Sequence, residues 1–362
     1  MKSLLIKVNQ VLLLVILSTA VLYYGKQFLV PLFLAVLLAM LMAPVCRFFD
    51  AKGCSRAVSC TISVAILVFA FLGLFLIVSF QIYDFTRDLD KIEERAREMW
   101  AGIQSYIEQR FNVAPEKQQQ VMDEQVESIK KGSGGQVGKV AGSITGTIGS
   151  LVLSLVFTFL MLFHKEKYHE FFIRVNSHRD PAEVKDVLDQ ITHVSQQYLT
   201  GRILSMTFLF VLYTIAFLII GLKNALLLSA LAAMLTIIPY VGPVIGAMFP
   251  IMTALVSGDS TQTALWVALA LVIVQVFDNY FVEPLVIGGE VKLTALSTIA
   301  AIVAGGFIWG VAGMVLFIPM LSILKIVFDH TNGLKPYGYL VGDEGPSPSD
   351  KIKSWFKKKK GS

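Results

Sequence analysis

The chain has few charged residues for its length. Asp, Glu, Lys and Arg make up 16% of its 362 residues, and hydrophobic residues make up 55%. Charged residues form about 25% of a typical soluble domain, and the mean hydropathy here is +0.67. This composition argues against a soluble domain and predicts an integral membrane protein. Because the basic residues are dispersed, nucleic acid is not an expected partner.

Cysteine and catalytic motifs are also scarce. The three cysteines, Cys46, Cys54 and Cys60, are odd in number and lack CxxC spacing, which argues against a disulfide framework or a zinc site. The sequence contains no HExxH, GxSxG or P-loop motif. We therefore predict no enzyme activity, no ATP hydrolysis, no cofactor and no metal site.

Long apolar runs are the main feature that is present. A membrane-spanning helix needs about 20 mostly apolar residues, and four such segments occupy 11–25, 28–46, 57–81 and 140–163. Between Arg202 and Asp259 the single charged residue is Lys223. The predicted fold is an all-α polytopic membrane protein with about six to eight transmembrane helices and an extracytoplasmic helical segment.

Lys and Arg are concentrated in alternate short loops, which predicts the orientation of the chain. Basic residues cluster at the N-terminus, over 47–56, over 164–202 and at 357–360. We therefore predict a multi-pass protein of the inner (plasma) membrane with both termini in the cytoplasm. The predicted divisions are N-terminal transmembrane helices (1–83), an extracytoplasmic charged helical segment (84–139), a fourth transmembrane helix with a cytoplasmic amphipathic helix (140–202), a transport core (203–330) and a cytoplasmic basic tail (331–362).

The amphipathic helix has a clear start. Asp180 is a good N-cap and Pro181 a good first helical residue. An apolar stripe follows, from Val184 to Tyr198 at helical spacing. Such a helix between two spans either lies flat at the membrane interface or packs against a neighbouring helix.

The second half contains two interrupted helical pairs. The first runs over 224–256 with a break at Pro239–Pro243, and the second over 293–328 with a break at Gly305–Gly310. Proline and glycine at membrane depth free backbone polar groups, and paired breaks of this kind point to a transport site. The pairs are either re-entrant hairpins that enter from opposite sides, or ordinary short tilted spans.

Two carboxylates follow an uncharged helix. Asp278 and Glu283 lie in the stretch Asp278-Asn279-Tyr280-Phe281-Val282-Glu283-Pro284, and ionisable groups at membrane depth are costly and usually functional. The alternative is a solvated helix end. Because a spacing of five puts them on different faces of a continuous helix, they need not share one site.

These motifs together resemble those of one family. Ile237-Ile238-Pro239-Tyr240-Val241-Gly242-Pro243, then Asp278 to Pro284 with Gly288, then Gly305-Gly306, Gly310, Gly313-Met314 and Ile318-Pro319 followed by Lys325, are similar to the signatures of the autoinducer-2 exporter (AI-2E) family of permeases. The resemblance covers nearly the whole chain. One departure is Leu285 after Pro284, where a basic residue is common in the family.

The resemblance implies a transporter that forms homo-oligomers. Family members are linked to export of the quorum-sensing signal autoinducer-2, and some to sodium/proton antiport. The expected substrate-binding or gating residues are Pro239, Tyr240, Gly242, Pro243, Asp278, Asn279, Glu283, Pro284, Gly305, Gly306, Gly310 and Pro319.

Three functions stay open at this point. The first is export of a small polar solute by alternating access, and the second is antiport of a monovalent cation and a proton at Asp278 or Glu283. The third is a membrane scaffold that moves no solute. The expected partners are the lipid bilayer, the solute or the cation and proton, and further copies of the chain.

Overall fold

The computed structural model describes residues 2–87, 146, 148–257, 261–283 and 293–343. Three predicted features lie outside the described residues. They are the part of the segment 84–139 from position 88 onward, Pro284, and the basic tail after position 343. The described chain is helical, with one isolated bridge between Leu293 and Gly342. The helices are α1 (Lys2–Tyr24), α2 (Lys26–Ala51), α3 (Arg56–Arg87), α4 (Ile148–Phe163), α5 (Lys165–Val175), α6 (Pro181–Ile220), α7 (Ala225–Leu235), α8 (Val241–Ser257), α9 (Thr261–Phe277), α10 (Ala295–Trp309), α11 (Val311–Asp329) and α12 (Lys335–Val341).

Several of these helices are long and apolar enough to cross a membrane. Among the described residues five qualify by length and composition, namely α2, the 56–80 part of α3, α6, the stretch Gln262–Val282 that begins in α9, and α11. The bent pair α4–α5, with 73° between its limbs, raises the number to six. Shorter apolar helices accompany them, in 12–24, α7, 241–255 and α10. The prediction of an all-α polytopic membrane protein is confirmed.

Helix α6 is the central element of the second half. The Asp180 carboxylate accepts a hydrogen bond from the Ala182 amide at 2.9 Å, as expected of an N-cap. The helix then continues for 40 residues, a length of about 60 Å. The amphipathic stretch and the following span are therefore one helix, and the predicted boundary after Arg202 falls inside it. Its buried stripe packs against α2, α5 and α11. Of the two alternatives for the amphipathic stretch, the structure therefore shows packing against neighbouring helices.

Helices α7 and α8 form the first hairpin, called hairpin 1 from here on. Helix α7 ends at Leu235 and α8 begins at Val241, so the break lies over 236–240 and not at Pro239–Pro243 as predicted. The shift has a physical cause, because a proline disfavours helical geometry in the residue before it. Tyr240 reverses the chain with φ +62°. Pro243 then lies in the first turn of α8, where its missing N–H costs nothing.

Helices α10 and α11 form the second hairpin, hairpin 2. The predicted break at Gly305–Gly310 is wrong for most of its length, because α10 continues through Gly305 and Gly306 to Trp309. Gly310 alone makes the turn, with φ +62° and ψ −140°, a conformation that is nearly restricted to glycine. Gly305 instead packs on Gly313, and a Cβ on either residue would overlap the backbone carbonyl of the other.

The two hairpins pack on opposite halves of α6. One apolar cluster joins α6 from Leu209 to Phe217 with α7, α8 and α9. A second cluster joins Tyr198 with Leu293, just before hairpin 2, and with Ile302 and Ile318 of hairpin 2. Hairpin 1 begins beside the C-terminal end of α6, whereas hairpin 2 begins beside its N-terminal half. The hairpins therefore lie towards opposite ends of α6, and their re-entry from opposite sides of the membrane stays a prediction.

Two of the basic segments lie at one end of the molecule. Arg56, which begins α3, pairs with Glu166 of α5 at 2.6 Å and donates to the Leu162 carbonyl at 2.9 Å. Lys165 lies 4.0 Å from the Asp50 carboxylate at the end of α2. The α2–α3 turn and the α4–α5 junction therefore share one side, as their basic residues predicted. The assignment of that side to the cytoplasm stays a prediction.

Candidate functional site

The buried stripe of α6 contains polar residues halfway along the helix. Tyr198, Arg202, Ser205, Leu209 and Tyr213 follow one another at intervals of three or four residues, so they lie on one face. Helix α9 runs antiparallel to this face. A polar group in the middle of an otherwise apolar stripe is costly to bury unless it finds partners.

Asp278 is the most deeply buried carboxylate in this region. Its residue surface is 2% exposed, and that of Ser205 is 1% exposed. The Ser205 hydroxyl donates a hydrogen bond to the Asp278 carboxylate at 3.0 Å. The alternative of a solvated helix end is therefore wrong for Asp278, because packing against α6 removes its side chain from solvent.

A π-helical turn brings the second carboxylate to the same place. Residues Asp278–Val282 form the π turn, and the Glu283 amide donates to the Asp278 carbonyl five residues earlier. In a regular α-helix, residues five apart point about 140° away from each other. The wider π turn brings them close to a common face. The prediction that Asp278 and Glu283 lie on different faces is wrong for this reason.

Arg202 pairs with Glu283 across the helix interface. The nearest guanidinium nitrogen lies 3.8 Å from the Glu283 carboxylate, and the Arg202 side chain is 12% exposed. Charge-assisted hydrogen bonds of this type are usually about 2.7–2.9 Å long, so this ion pair is loose. The buried Nε of Arg202 has no hydrogen-bond partner among the described residues.

A chain of amides and hydroxyls extends the polar group along α9. The Tyr213 hydroxyl donates to the Gln275 side-chain carbonyl at 3.3 Å, and the Gln275 amide donates to the Asn279 side chain at 3.1 Å. Asn279 therefore joins the site through Gln275. Together with Arg202 and Ser205 on α6, Tyr213 and Gln275 extend the polar group along the α6–α9 interface, and Asn279 lies at its exposed edge.

Along α6, the polar group lies between the residues that contact hairpin 2 and those that contact hairpin 1. The α6 residues in the hairpin 2 clusters are Tyr198 and Leu199, and those in the hairpin 1 cluster begin at Leu209. Arg202 and Ser205 occupy the turns between these positions. Helix α7 has 11 residues, about 16 Å, so hairpin 1 reaches back along only about a quarter of α6.

Sequence reasoning missed Arg202, Ser205, Tyr213 and Gln275. A signal for Arg202 was present, because it shares the apolar stripe of the amphipathic helix, three residues before Ser205. It was interpreted as the last basic residue of a cytoplasmic segment. The serine, tyrosine and glutamine carry no motif, and only their facing partners across α6 and α9 identify them.

The remaining predicted site residues belong to the hairpins. Tyr240 is 65% exposed at the turn of hairpin 1. Gly242 packs so closely on α7 that a Cβ would overlap the Leu235 carbonyl. Among the described residues, no hydrogen bond or ion pair links these side chains to Asp278, and no cluster of three or more His, Cys, Asp or Glu could hold a metal ion. The residues concerned are Pro239, Tyr240, Gly242, Pro243, Gly305, Gly306, Gly310 and Pro319.

Comparison with known proteins relates the whole fold to transporters. The model of the AI-2E family transporter matches residues 12–333. YrrI of Bacillus subtilis (strain 168) is 23% identical over 314 residues, which cover 84% of this chain and 87% of YrrI. YhhT of Escherichia coli (strain K12) is 24% identical over 328 residues, which cover 89% of this chain and 90% of YhhT. Both are named as transport proteins with no stated solute.

A shorter likeness involves a relative that is named for its solute. The AI-2 transport protein TqsA of Escherichia coli (strain K12) is 31% identical over 121 residues. The aligned part covers 33% of this chain and 35% of TqsA.

Proposed function

Because the chain belongs to the AI-2E family of transporters, we propose that it exports a small polar solute across the inner membrane by alternating access, without ATP hydrolysis. The observation that carries the proposal is the polar group at the level between the hairpins, in which Asp278 and Ser205 are buried and Arg202 pairs with the half-exposed Glu283. Charged groups at membrane depth usually mark a solute or ion pathway. Opposed hairpins around such a group are a recurrent way of building a transport site.

The polar group offers a solute both donors and acceptors. The Arg202 Nε is a buried donor without a described partner, and the carboxylates of Asp278 and Glu283 are acceptors. A hydroxyl or carbonyl group of a polar solute can satisfy both kinds in place of water. Autoinducer-2 is our proposed solute class, and the name of TqsA and the family resemblance support it.

Alternating access requires that one side of the site open while the other closes. In our proposal hairpin 1 bounds one side of the site and hairpin 2 the other, and access alternates as hairpin 1 moves against hairpin 2. Gly242 and Gly305 let the limbs of each hairpin pack backbone to backbone, so each hairpin is a rigid unit. The proposed setting is a homo-oligomer with both termini in the cytoplasm.

A second candidate is a monovalent cation/proton antiporter. The observation that favours it is Asp278, a carboxylate that is 2% exposed and accepts from a neutral serine. A buried carboxylate of this kind is stabilised by taking up a proton or a cation. In this version Asp278 carries the exchanged ions and Glu283 holds Arg202.

The test is flux in sealed vesicles that contain the purified protein. One set is loaded with autoinducer-2, and a second contains a pH-sensitive dye under an imposed Na⁺ or K⁺ gradient. We expect protein-dependent release of autoinducer-2 that falls to background in Asp278→Asn, because the buried group loses its charge. The matched control is Asp186→Asn on α6, where the carboxylate accepts from Gln190 on an exposed face, and its flux should equal that of the wild type.

The outcomes separate the candidates. Cation-driven proton movement that Asp278→Asn abolishes would make the antiporter the leading function. Flux of neither kind from a well-folded protein would contradict both transport candidates and favour the membrane scaffold, whose predicted outer segment (84–139) would be tested next.

A further inference from the structure

The polar group contains two carboxylates and a single guanidinium. Glu283 is paired with Arg202, whereas Asp278 accepts from the neutral Ser205 hydroxyl. One guanidinium neutralises one carboxylate at a time. The other carboxylate, Asp278, keeps a negative charge that a single monovalent cation can neutralise. Because Asp278 is buried, its attraction to that cation is stronger than it would be in water.

Arg202 is placed to reach either carboxylate. It precedes Ser205 by three residues on α6, and side chains at this spacing are neighbours on the helix surface. Since Ser205 contacts Asp278 directly, a change of rotamer carries the guanidinium of Arg202 from Glu283 towards Asp278 without moving the backbone. Its 3.8 Å pairing with Glu283 is loose, and its Nε has no partner among the described residues. Because of both features, few interactions are lost when the Arg202 side chain changes rotamer.

We propose that Arg202 is an internal counter-cation that alternates between Glu283 and Asp278, so that a transported monovalent cation occupies Asp278 only while Arg202 is held by Glu283. The proposal rests on the second candidate function, the monovalent cation/proton antiporter, and assigns Arg202 as the positioning residue of that site. When Arg202 turns to Asp278 it displaces the cation. The two states differ in which carboxylate of the π turn after α9 is neutralised, Glu283 or Asp278.

This exchange predicts opposite effects from removing the two partners. Arg202→Gln removes the competitor, so a cation should bind at Asp278 about tenfold more tightly, within the range usual for coupling between two ligands. Glu283→Gln frees Arg202 to stay at Asp278, so the cation should bind about tenfold more weakly. In the double variant the competitor is absent, so binding should match that of Arg202→Gln. Arg202→Lys, which keeps the charge, should restore binding towards the wild-type value.

The experiment measures saturable binding of radiolabelled Na⁺ to the purified full-length protein in detergent, at fixed pH and ionic strength, with K⁺ as competitor. A control variant is Arg174→Gln, which breaks an exposed Arg–Glu pair on α5 with 3.0 Å between its charged groups. This control should leave binding unchanged. Variants are compared only when they elute as the wild type does in size-exclusion chromatography, so that misfolding is excluded.

The result expected is opposite shifts for Arg202→Gln and Glu283→Gln with the double variant following Arg202→Gln. Shifts of the same sign, or additive behaviour in the double variant, would overturn the exchange, as would a wild-type protein that shows no saturable binding of Na⁺ or K⁺. Since binding is measured without a membrane, its outcome is independent of the autoinducer-2 flux that tests the proposed function.

Discussion

Hairpin 1 and hairpin 2 are built from similar sequence elements but are held in different ways. Hairpin 1 contacts α6 and α9 through an apolar cluster and also contacts α3. The hydroxyls of Ser229 and Thr236 bond carbonyls within the hairpin itself. Hairpin 2 is held by hydrogen bonds at both ends. Near its turn the Trp309 indole donates to the Leu22 carbonyl at 2.9 Å, and at its base the Thr294 amide donates to the Val341 carbonyl at 3.0 Å.

This difference indicates which hairpin is free to move. Apolar contacts have no preferred direction and tolerate sliding, whereas hydrogen bonds keep their energy only over a narrow range of distance and angle. Helix α12 adds to the restraint, because Gly338 and Gly342 pack directly on the Asp329 and Lys325 side chains of α11. We therefore expect hairpin 1 to move during transport and hairpin 2 to serve as the fixed wall.

The largest expected effect comes from the contact between the limbs of hairpin 2. Gly305→Ala places a Cβ against the backbone carbonyl of Gly313, which cannot yield, so we expect destabilisation of about 3 kcal/mol. Gly306→Ala is the matched control, because its Cβ meets only the flexible end of Met314. The measurement is the thermal unfolding midpoint of each purified variant in detergent. Equal midpoints would show that the limbs are not packed backbone to backbone.

A smaller effect is expected at the turn of hairpin 2. Trp309→Phe removes the hydrogen bond to Leu22 and should destabilise the protein by about 1 kcal/mol. Trp266→Phe on α9 is the control, because this indole is 53% exposed and its loss should leave the midpoint unchanged. The same thermal measurement applies. If Trp309→Phe changed solute flux more than stability, the view of hairpin 2 as a fixed wall would be wrong.

The smallest effect is expected at the base of hairpin 2. Asp329→Asn breaks a partly exposed ion pair with Lys325, in which the charged atoms lie 2.6 Å apart. Such pairs contribute about 0.2–1 kcal/mol, and salt screens them. We expect a small fall in the unfolding midpoint that shrinks as salt is raised. Glu170→Gln, at the exposed pair with Arg174, is the control and should show no fall at any salt concentration.

Much of the fold was predictable because lipid imposes simple requirements on sequence. A span needs a long apolar run whose backbone is satisfied internally, so the apolar runs at 28–46 and 57–81 predicted α2 and α3. The cap at Asp180 was predictable for a local reason, since its carboxylate bonds an amide two residues away. The interrupted pairs were predictable as hairpins from their prolines and glycines.

The turns inside the hairpins were less predictable. A glycine can form a bend in the chain or can allow a neighbouring helix to pack closely against it. The residues that surround it in the fold determine which of the two occurs. Gly310 has the backbone conformation of a bend, whereas Gly305 lies inside a regular helix against Gly313. Their sequence context is the same run of small and aromatic residues, so only the facing helix distinguishes them.

By itself the sequence determined that the chain is an all-α membrane protein, where its apolar helices lie and which carboxylates interrupt them, because these follow from local composition and spacing. Only the tertiary structure decided that Asp278 and Glu283 share a site. That outcome depends on a π turn at the end of α9, which adds one residue to a single helical turn. It also depends on α6, which brings Arg202 and Ser205 opposite that turn from more than 70 residues away in the chain. Neither condition leaves a mark in the local sequence, because both are set by how two helices pack.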